Sequence, residues 1–483
     1  MMKKIIQYLT ILPILGLLFT SCENFLDVAP DERLEINTLD KIESTLIGSY
    51  QNDRGFRFTH FSSDDVTLAR KVYNNNEIIE DLYTWSREFR NQKHQDSPSE
   101  YWAAAYGSIS QINHALRGID EIKSDNQETS RTAAIKGEAL VVRSYNHFML
   151  VNLFAKHYGS SSATDLGVPY VFEPETKLKV DYKRESVEKT YQLAEKDLLD
   201  GIKLMEDHID YTNTNKYRFT LASAYNYASR FYTFRNKDQE DVLKAKDYSN
   251  KAIDAYGGLE VMNHWLLYKS NEYAPVNIDD ASVGMVQLSY SWIQYDWIYQ
   301  MTENIKNDHL VKNPFGASVK DQRLDIVWKK SGDIFMPAFY YTLDREREGI
   351  SGYDLFPVYE AILNSAEASI RNGDYTQAKS LMEVIGANSY IGYNPAALTS
   401  ENLKTHYNTT DEQTAWTSYL LYERRMMFLL QGMRWFDIKR YDIDVTHILD
   451  DLSEVKLSEV APNKDYQIPL AAIASGMDPN PNK

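Results

Sequence analysis

The stretch Tyr422-Glu423-Arg424-Arg425-Met426-Met427-Phe428-Leu429-Leu430-Gln431-Gly432-Met433-Arg434-Trp435-Phe436-Asp437-Ile438-Lys439-Arg440 decides how the rest of the chain is read. It interleaves guanidinium and carboxylate groups with large apolar side chains, a pattern that suits a helix packed on its neighbours. Arg434 and Asp437 stand one turn apart, where they can pair with each other or with neighbouring helices, while Trp435 is placed to pack inward. The role this predicts is structural.

Upstream, two segments resemble one another. Tyr225 to Asp254 and Ile362 to Ile385 each place an alanine- and aromatic-rich helix before a polar turn and a second helix. The turns are Arg235-Asn236-Lys237-Asp238 and Arg371-Asn372-Gly373-Asp374, and the helices behind them run over 245–253 and 378–385. This is the pattern of a tetratricopeptide-like helix–turn–helix repeat, whose small residues allow close helix contacts. Ser97-Pro98-Ser99-Glu100 combines a serine N-cap, a proline at the first helical position and a glutamate at the third. Behind it Trp102, Tyr106, Ile109, Ile112 and Leu116 form one apolar stripe. A second helix is expected from about Arg131 to His157, capped by Gly159, and a third from Ser186 to about Asp207 with Tyr191, Ala194, Leu198, Ile202 and Met205 on one face. With 412–441 as a further helical block, the expected fold is mainly α. It is an array of tetratricopeptide-like helices over about 98–257 and 357–441, broken by an irregular insertion over about 258–356.

The insertion is the most aromatic part of the chain. Met285-Val286-Gln287-Leu288-Ser289-Tyr290 alternates as a strand does, and Trp292, Tyr295, Trp297 and Tyr299 follow closely, with Trp328 further on. A repeat helix does not need this many rings, so they either cover a large part of the core or present ring faces to a ligand. A short helix is expected from Asp40 to Tyr50. Residues 55–91 hold no helical period and read as loops with short strands, again rich in aromatics, including Tyr83 and Trp85.

At the N-terminus, Lys3 and Lys4 precede an apolar stretch from Ile5 to Phe19 that Gln7, Thr10 and Pro13 interrupt, the pattern of a secretory leader over 1–21. Thr20-Ser21-Cys22 closes it. Cys22 is the one cysteine of the 483 residues, standing where a lipoprotein signal peptidase cuts and a lipid is attached, although Phe19 occupies the usual leucine place. Residues 22–40 are expected to be a lipidated tether, and 41–483 the folded body. A single cysteine excludes a disulfide framework, Cys-ligated zinc and iron–sulfur clusters in that body. Lys plus Arg number 52 against 69 Asp plus Glu, and loss of the leader lysines leaves 50 against 69, a charge of −19. Such a surface repels nucleic acid. Of the aromatics, 35 Tyr and 8 Trp outnumber 18 Phe, so most of the ring area carries a polar handle.

No motif enforces a catalytic mechanism. The sequence lacks a Walker loop, a dinucleotide glycine fingerprint, a His-Glu-x-x-His pair and a nucleophile elbow. His147 and His157 are ten positions apart on one expected helix, the wrong spacing for a helical metal pair. Asp64-Asp65 and Asp279-Asp280 are the acid pairs that glycoside hydrolysis could use, but adjacent acids more often form solvated loops or caps. The expectation is therefore no catalytic residue, no cofactor and no metal, with calcium left open.

The 422–440 stretch resembles the signature helix of the SusD/RagB family of nutrient-binding outer-membrane lipoproteins. It keeps Glu423, Arg424, Arg425, Gly432, Arg434, Trp435, Asp437 and Arg440, and departs at two family acids, here Met427 and Gln431. Other blocks agree in order: Cys22 with Phe25-Leu26-Asp27, Trp102 to Asn113, Leu140 to Gly159 with Arg143 and Tyr145, Asp321-Gln322-Arg323-Leu324, Ala366-Glu367-Ala368 and Tyr466-Gln467-Ile468-Pro469. Pro357 stands where the family commonly has arginine.

The resemblance implies about four tetratricopeptide-like helix pairs, a lipid anchor in the outer membrane with the body on the cell surface, and a SusC-like TonB-dependent transporter as partner. It implies capture of oligosaccharide or polysaccharide ligands without cleavage, some members taking peptides. Candidate ligand residues are Tyr83, Trp85, Arg87 and Asn91 before Trp102, and Tyr290, Trp292, Tyr295, Trp297, Tyr299 and Trp328 in the insertion. Sugar rings stack their C–H faces on Trp and Tyr while nearby amides, acids and guanidinium groups bond the hydroxyls. Two rivals stand beside this reading: a helical polysaccharide-degrading enzyme, and a repeat scaffold that binds only protein and keeps its aromatics as core.

Overall fold

The computed structural model describes residues 36–50, 55–68, 77–122, 129–175, 180–262, 281, 283–289, 299–300, 313–316, 318–323, 328–331, 334–337, 351–429 and 431–481. Mainly helical, they follow the expected order. The chain enters through α1 (Leu39–Ser49), a 3-10 segment (Phe56–Ser62), strand β1 (Thr67–Leu68) and α2 (Glu77–Tyr83). Helix α2 lies where only loops and strands were expected; its seven residues are too few to show a period, and it is held by tertiary burial of Ile78, Ile79, Leu82 and Tyr83.

Helix α3 (Pro98–Glu121) starts as its sequence dictates, with the Ser97 side chain accepting from the Glu100 N–H and Pro98 in the first turn. Helices α4 (Thr129–Phe154) and α5 (Val187–Asp207) pack along one another. Their backbones touch at Gly137 and Gly201. A Cβ on Gly201 would sit 2.6 Å from the Gly137 carbonyl oxygen, so only glycine permits this approach. Gly159 does not cap α4. The helix ends earlier, at Phe154, and its last carbonyls are taken by distant residues: Lys439 donates to Asn152 and Ala155, the Tyr466 N–H to Leu153 at 2.9 Å, and Asn480 to Phe154 at 2.9 Å.

The two similar segments form α6 (Leu221–Arg235) with α7 (Gln239–Tyr256), and α8 (Val358–Arg371) with α9 (Tyr375–Ser389). Their turns use the same devices. Each contains a residue in the left-handed region, Asn236 (φ 42°) or Gly373 (φ 72°), and each ends on an aspartate, Asp238 or Asp374, whose side chain caps the next helix. Helix α8 packs on α6, α7 and α9, and also against α11 (Glu412–Met427), which follows α10 (Ser400–His406). Helix α12 (Met433–Arg440) completes the quoted stretch.

The insertion contributes strands. β2 (Val286–Ser289) pairs antiparallel with β7 (Ser351–Asp354), β4 (Lys320–Asp321) with β8 (Tyr390–Ile391), and β5 (Trp328–Ser331) with β6 (Ile334–Pro337). β3 (Tyr299–Gln300) pairs with β1, tying the insertion to the N-terminal segment. A C-terminal hairpin of β9 (Thr446–Ile448) and β10 (Glu454–Lys456) lies beside β1, and two short helices (Leu457–Val460 and Leu470–Ala474) close the chain.

Candidate functional site

The quoted stretch is a hub of ion pairs, most of them buried, that reach the insertion, the N-terminal loop and α8. Glu423 accepts from Arg323 at 2.6 Å and from the Tyr390 hydroxyl at 2.5 Å, while Arg323 also holds Asp321. This fastens the insertion's Asp321-Gln322-Arg323 segment to α11. Arg425 bonds Asp65 at 2.6 Å, and Arg434 makes a two-pronged pair with Asp64, both bonds 2.9 Å, which fastens the N-terminal loop. Arg434 thus pairs away from Asp437, whose carboxylate is taken by Arg424 and Arg440. Arg440 also bonds both oxygens of Glu367 on α8. Burial opposes the Glu367 charge, but Arg440 and Arg371 win and hold its carboxyl far below the usual range.

The two departures from the family pattern sit quietly inside this hub. Met427 is buried, and Gln431 lies in the turn after α11, its amide reaching the Tyr359 hydroxyl and the Met427 carbonyl oxygen. Gly432 takes φ 83°, and a Cβ there would lie 2.5 Å from the Thr59 hydroxyl oxygen, so the glycine is needed twice over. Trp435 packs inward, as its spacing predicts.

Asp64 and Asp65 are consequently engaged with arginines and are not a free acid pair. Asp279 and Asp280 lie outside the described residues. Among the described residues no group of His, Cys, Asp and Glu is arranged to hold a metal ion.

The candidate ligand residues before Trp102 separate into two kinds. Tyr83 and Trp85 are buried, 0% and 3% exposed, and their ring faces are spent on His447, which lies between them. A ligand cannot stack on either, because both are core. Arg87 is bound to the Asp465 carboxylate at 2.9 Å and to its carbonyl oxygen. Asn91 is exposed. Sequence reasoning missed His447, since no local spacing connects it to residues more than three hundred positions earlier.

In the insertion, Tyr290, Trp292, Tyr295 and Trp297 lie outside the described residues, as does Cys22. Tyr299 is placed by its backbone, opposite Leu68 of β1, and Trp328 opposite Pro337. The aromatic run therefore ends on a strand that is fixed to the body. Elsewhere a cavity of about 180 Å³ opens between α5 and the α6–α7 turn, lined by residues including Tyr158, Glu188, Glu195, Arg235 and Lys244. Its cations are already paired, Arg235 with Glu195, Lys244 with Glu240 and Lys237 with Glu188.

Residues 24–233 match the family described as starch-binding associating with outer membrane, of SusD-like type, and residues 353–471 match the SusD family. No curated protein matches the sequence. Among solved structures, a candidate sugar binding protein of Bacteroides vulgatus superposes with a TM-score of 0.70 at 21% identity, covering 92% of this chain and 98% of that one. A SusD superfamily protein of Bacteroides thetaiotaomicron gives 0.68 at 18% identity, covering 92% and 100%. A SusD-like carbohydrate binding protein of Bacteroides vulgatus gives 0.68 at 15% identity, covering 91% and 96%. The fold is theirs, the two family matches flank the insertion, and the hub is built from the family's signature residues: the chain belongs to the SusD/RagB family.

Proposed function

We propose that this protein is a cell-surface lipoprotein that captures oligosaccharide and delivers it to a SusC-like TonB-dependent transporter in the outer membrane, without cleaving it. The observation that carries the reading is the pairing of the family's helical body with an aromatic run over 290–299 whose end is fixed to that body through β1 and β3. Tyr290, Trp292, Tyr295, Trp297 and Tyr299 are the ligand platform, and exposed Asn91 is a candidate for hydroxyl bonding. The stretch between the two family matches, 234–352, contains this run, which suits a segment that varies with the ligand. The single cysteine at position 22 supplies the anchor, and no helix among the described residues is long and apolar enough to cross a membrane. The helical body is the surface that meets the transporter.

Calorimetry on the body lacking residues 1–22, against a panel of glycans and peptides, tests this. One glycan class binds, and Trp297→Ala abolishes binding while the helical circular dichroism is unchanged. Binding of peptides alone overturns the glycan assignment, and release of shorter sugars from the bound glycan overturns the non-enzymatic one.

A further inference from the structure

Two buried histidines are bonded to backbone through both ring nitrogens, and their partners differ. His147 Nδ1 lies 2.9 Å from the Arg143 carbonyl oxygen, and its Nε2 accepts from the Val171 N–H at 3.1 Å. One acceptor and one donor match a neutral ring. His447 instead faces two carbonyl oxygens, Tyr83 at 2.7 Å from Nδ1 and Ser63 at 3.0 Å from Nε2. A neutral imidazole has a single N–H, so one nitrogen lone pair would be turned toward an oxygen. Only the doubly protonated ring donates to both.

The surroundings suit that cation. Tyr83 covers one face, with centroids 4.0 Å apart and planes 3° from parallel, and Trp85 lies at 4.4 Å and 13°. Trp85 is held for this purpose in the left-handed region (φ 53°), a conformation costly for so bulky a residue, with its indole N–H on the Ser62 carbonyl oxygen at 2.9 Å. In the loop, Asp64 and Asp65 supply negative charge that they share with Arg434 and Arg425. On α2, Asp81 is engaged by Arg90, and on the hairpin Glu454 and Lys456 flank Val455, the cross-strand partner of His447. His60, pushed down to about 4 by burial, is neutral near pH 7. Burial is the larger influence and pulls the His447 pKa below its ordinary value, with the two carbonyl acceptors and Asp64 opposing it; the two-acceptor geometry nevertheless calls for two N–H donors.

The stack also touches the strand that fixes the insertion. The Tyr83 hydroxyl accepts from the Leu68 N–H at 3.3 Å and donates to the Ile448 carbonyl oxygen at 3.0 Å, and Leu68 is the β1 residue opposite Tyr299. We propose that His447 is held doubly protonated between Tyr83 and Trp85 and is a positioning residue, clamping Ser63 and the Tyr83–Trp85 turn to the C-terminal hairpin so that β1 holds β3 in one place. Loss of a proton from His447 turns a lone pair on one carbonyl and loosens the clamp, so ligand affinity falls as pH rises through its pKa. This last step rests on the glycan-binding reading; the protonation state does not.

Nitrogen-15 spectra of histidine-labelled protein, with His447→Gln to assign the resonance, read the first part. Both ring nitrogens carry protons at pH 7 if the proposal holds, and a singly protonated ring at that pH overturns it whatever the glycan panel shows. Amide exchange at Leu68 and Gln300 reads the second part without any ligand: it is about tenfold faster in His447→Gln, and faster in the wild type above the ring's pKa. Unchanged exchange and unchanged pH dependence in a folded His447→Gln overturn the positioning role. Trp85→Phe, which keeps a ring on that face but loses the indole and its bond, lowers the ring's pKa and provides a milder variant should His447→Gln unfold. Where a glycan binds, its affinity follows the same pH profile in the wild type and loses it in the variants.

Discussion

Each signature residue has a partner that local spacing does not reveal. Arg434 was expected to pair within its own helix or with a neighbouring one, and it reaches Asp64, 370 positions away, because the loop carrying Asp64 packs over the start of α12. What the sequence did disclose is the chemical type: arginines and acids interleaved with Trp435 and Phe436 had to be buried and paired. Glu367 is a heavily shared buried acid, accepting from Arg440, Arg371 and Tyr441. Replacing it by glutamine leaves half-buried Arg371 without its counter-charge and buried Arg440 with Asp437 alone. Glu367→Gln is therefore expected to cost about 3–5 kcal/mol in urea unfolding at pH 7. Gly432→Ala is expected to lower stability by more than about 1 kcal/mol, since the left-handed backbone and the Thr59 contact act together. Equal unfolding midpoints for wild type and Gly432→Ala would show that the 3-10 segment moves aside freely.

At the scale of elements, helices with strong caps and stripes were legible, and their ends were not. Ser97, Ser186 and Asp238 cap the helices that follow them, because a side-chain cap is a local matter settled within three residues. The C-terminus of α4 was misread because its carbonyls are satisfied from Lys439, Tyr466 and Asn480, which no local pattern reports. The aromatics of the 55–91 region were equally ambiguous: ring count marks Tyr83 and Trp85 for burial or for binding alike, and only the position of His447 decides. The α4–α5 contact offers a test with a definite sign. A glycine in an exposed helix interior gains up to about 1 kcal/mol on replacement by alanine. Gly201→Ala is expected to do the reverse and lose about 1–3 kcal/mol, because its methyl group would press on the Gly137 carbonyl and Val141. A thermal melt of Gly201→Ala at or above the wild-type midpoint would mean that the two helices can separate without loss.

For the molecule as a whole, the buried titratable groups set how stability answers to pH. Burial lowers His60 to about 4 and His147 to about 3, so both are neutral in the fold, whereas in the unfolded chain they titrate near the ordinary histidine value. A base whose folded pKa is depressed contributes stability that is complete above its unfolded pKa and is lost as pH falls through the folded one. Each of these histidines thus removes about 1.4 kcal/mol per pH unit below roughly pH 6. Asp354 works in the other direction. Burial raises it to about 7, against the N–H groups of Gly284 and Phe356, so its contribution is complete at acid pH and is lost as pH rises to 7. Two histidines against one aspartate leave a net loss on acidification from these groups, which a His447 charged in the fold opposes between pH 7 and about pH 6, where the unfolded ring takes up its proton. Urea unfolding at pH 7, 6 and 5 is expected to show the loss directly. His147→Gln, which keeps a donor and an acceptor on the ring's two partners, flattens the slope, while Asp354→Asn steepens it. Slopes that move together in the two variants, or a wild type that gains stability between pH 6 and 5, would place the controlling groups elsewhere in the fold.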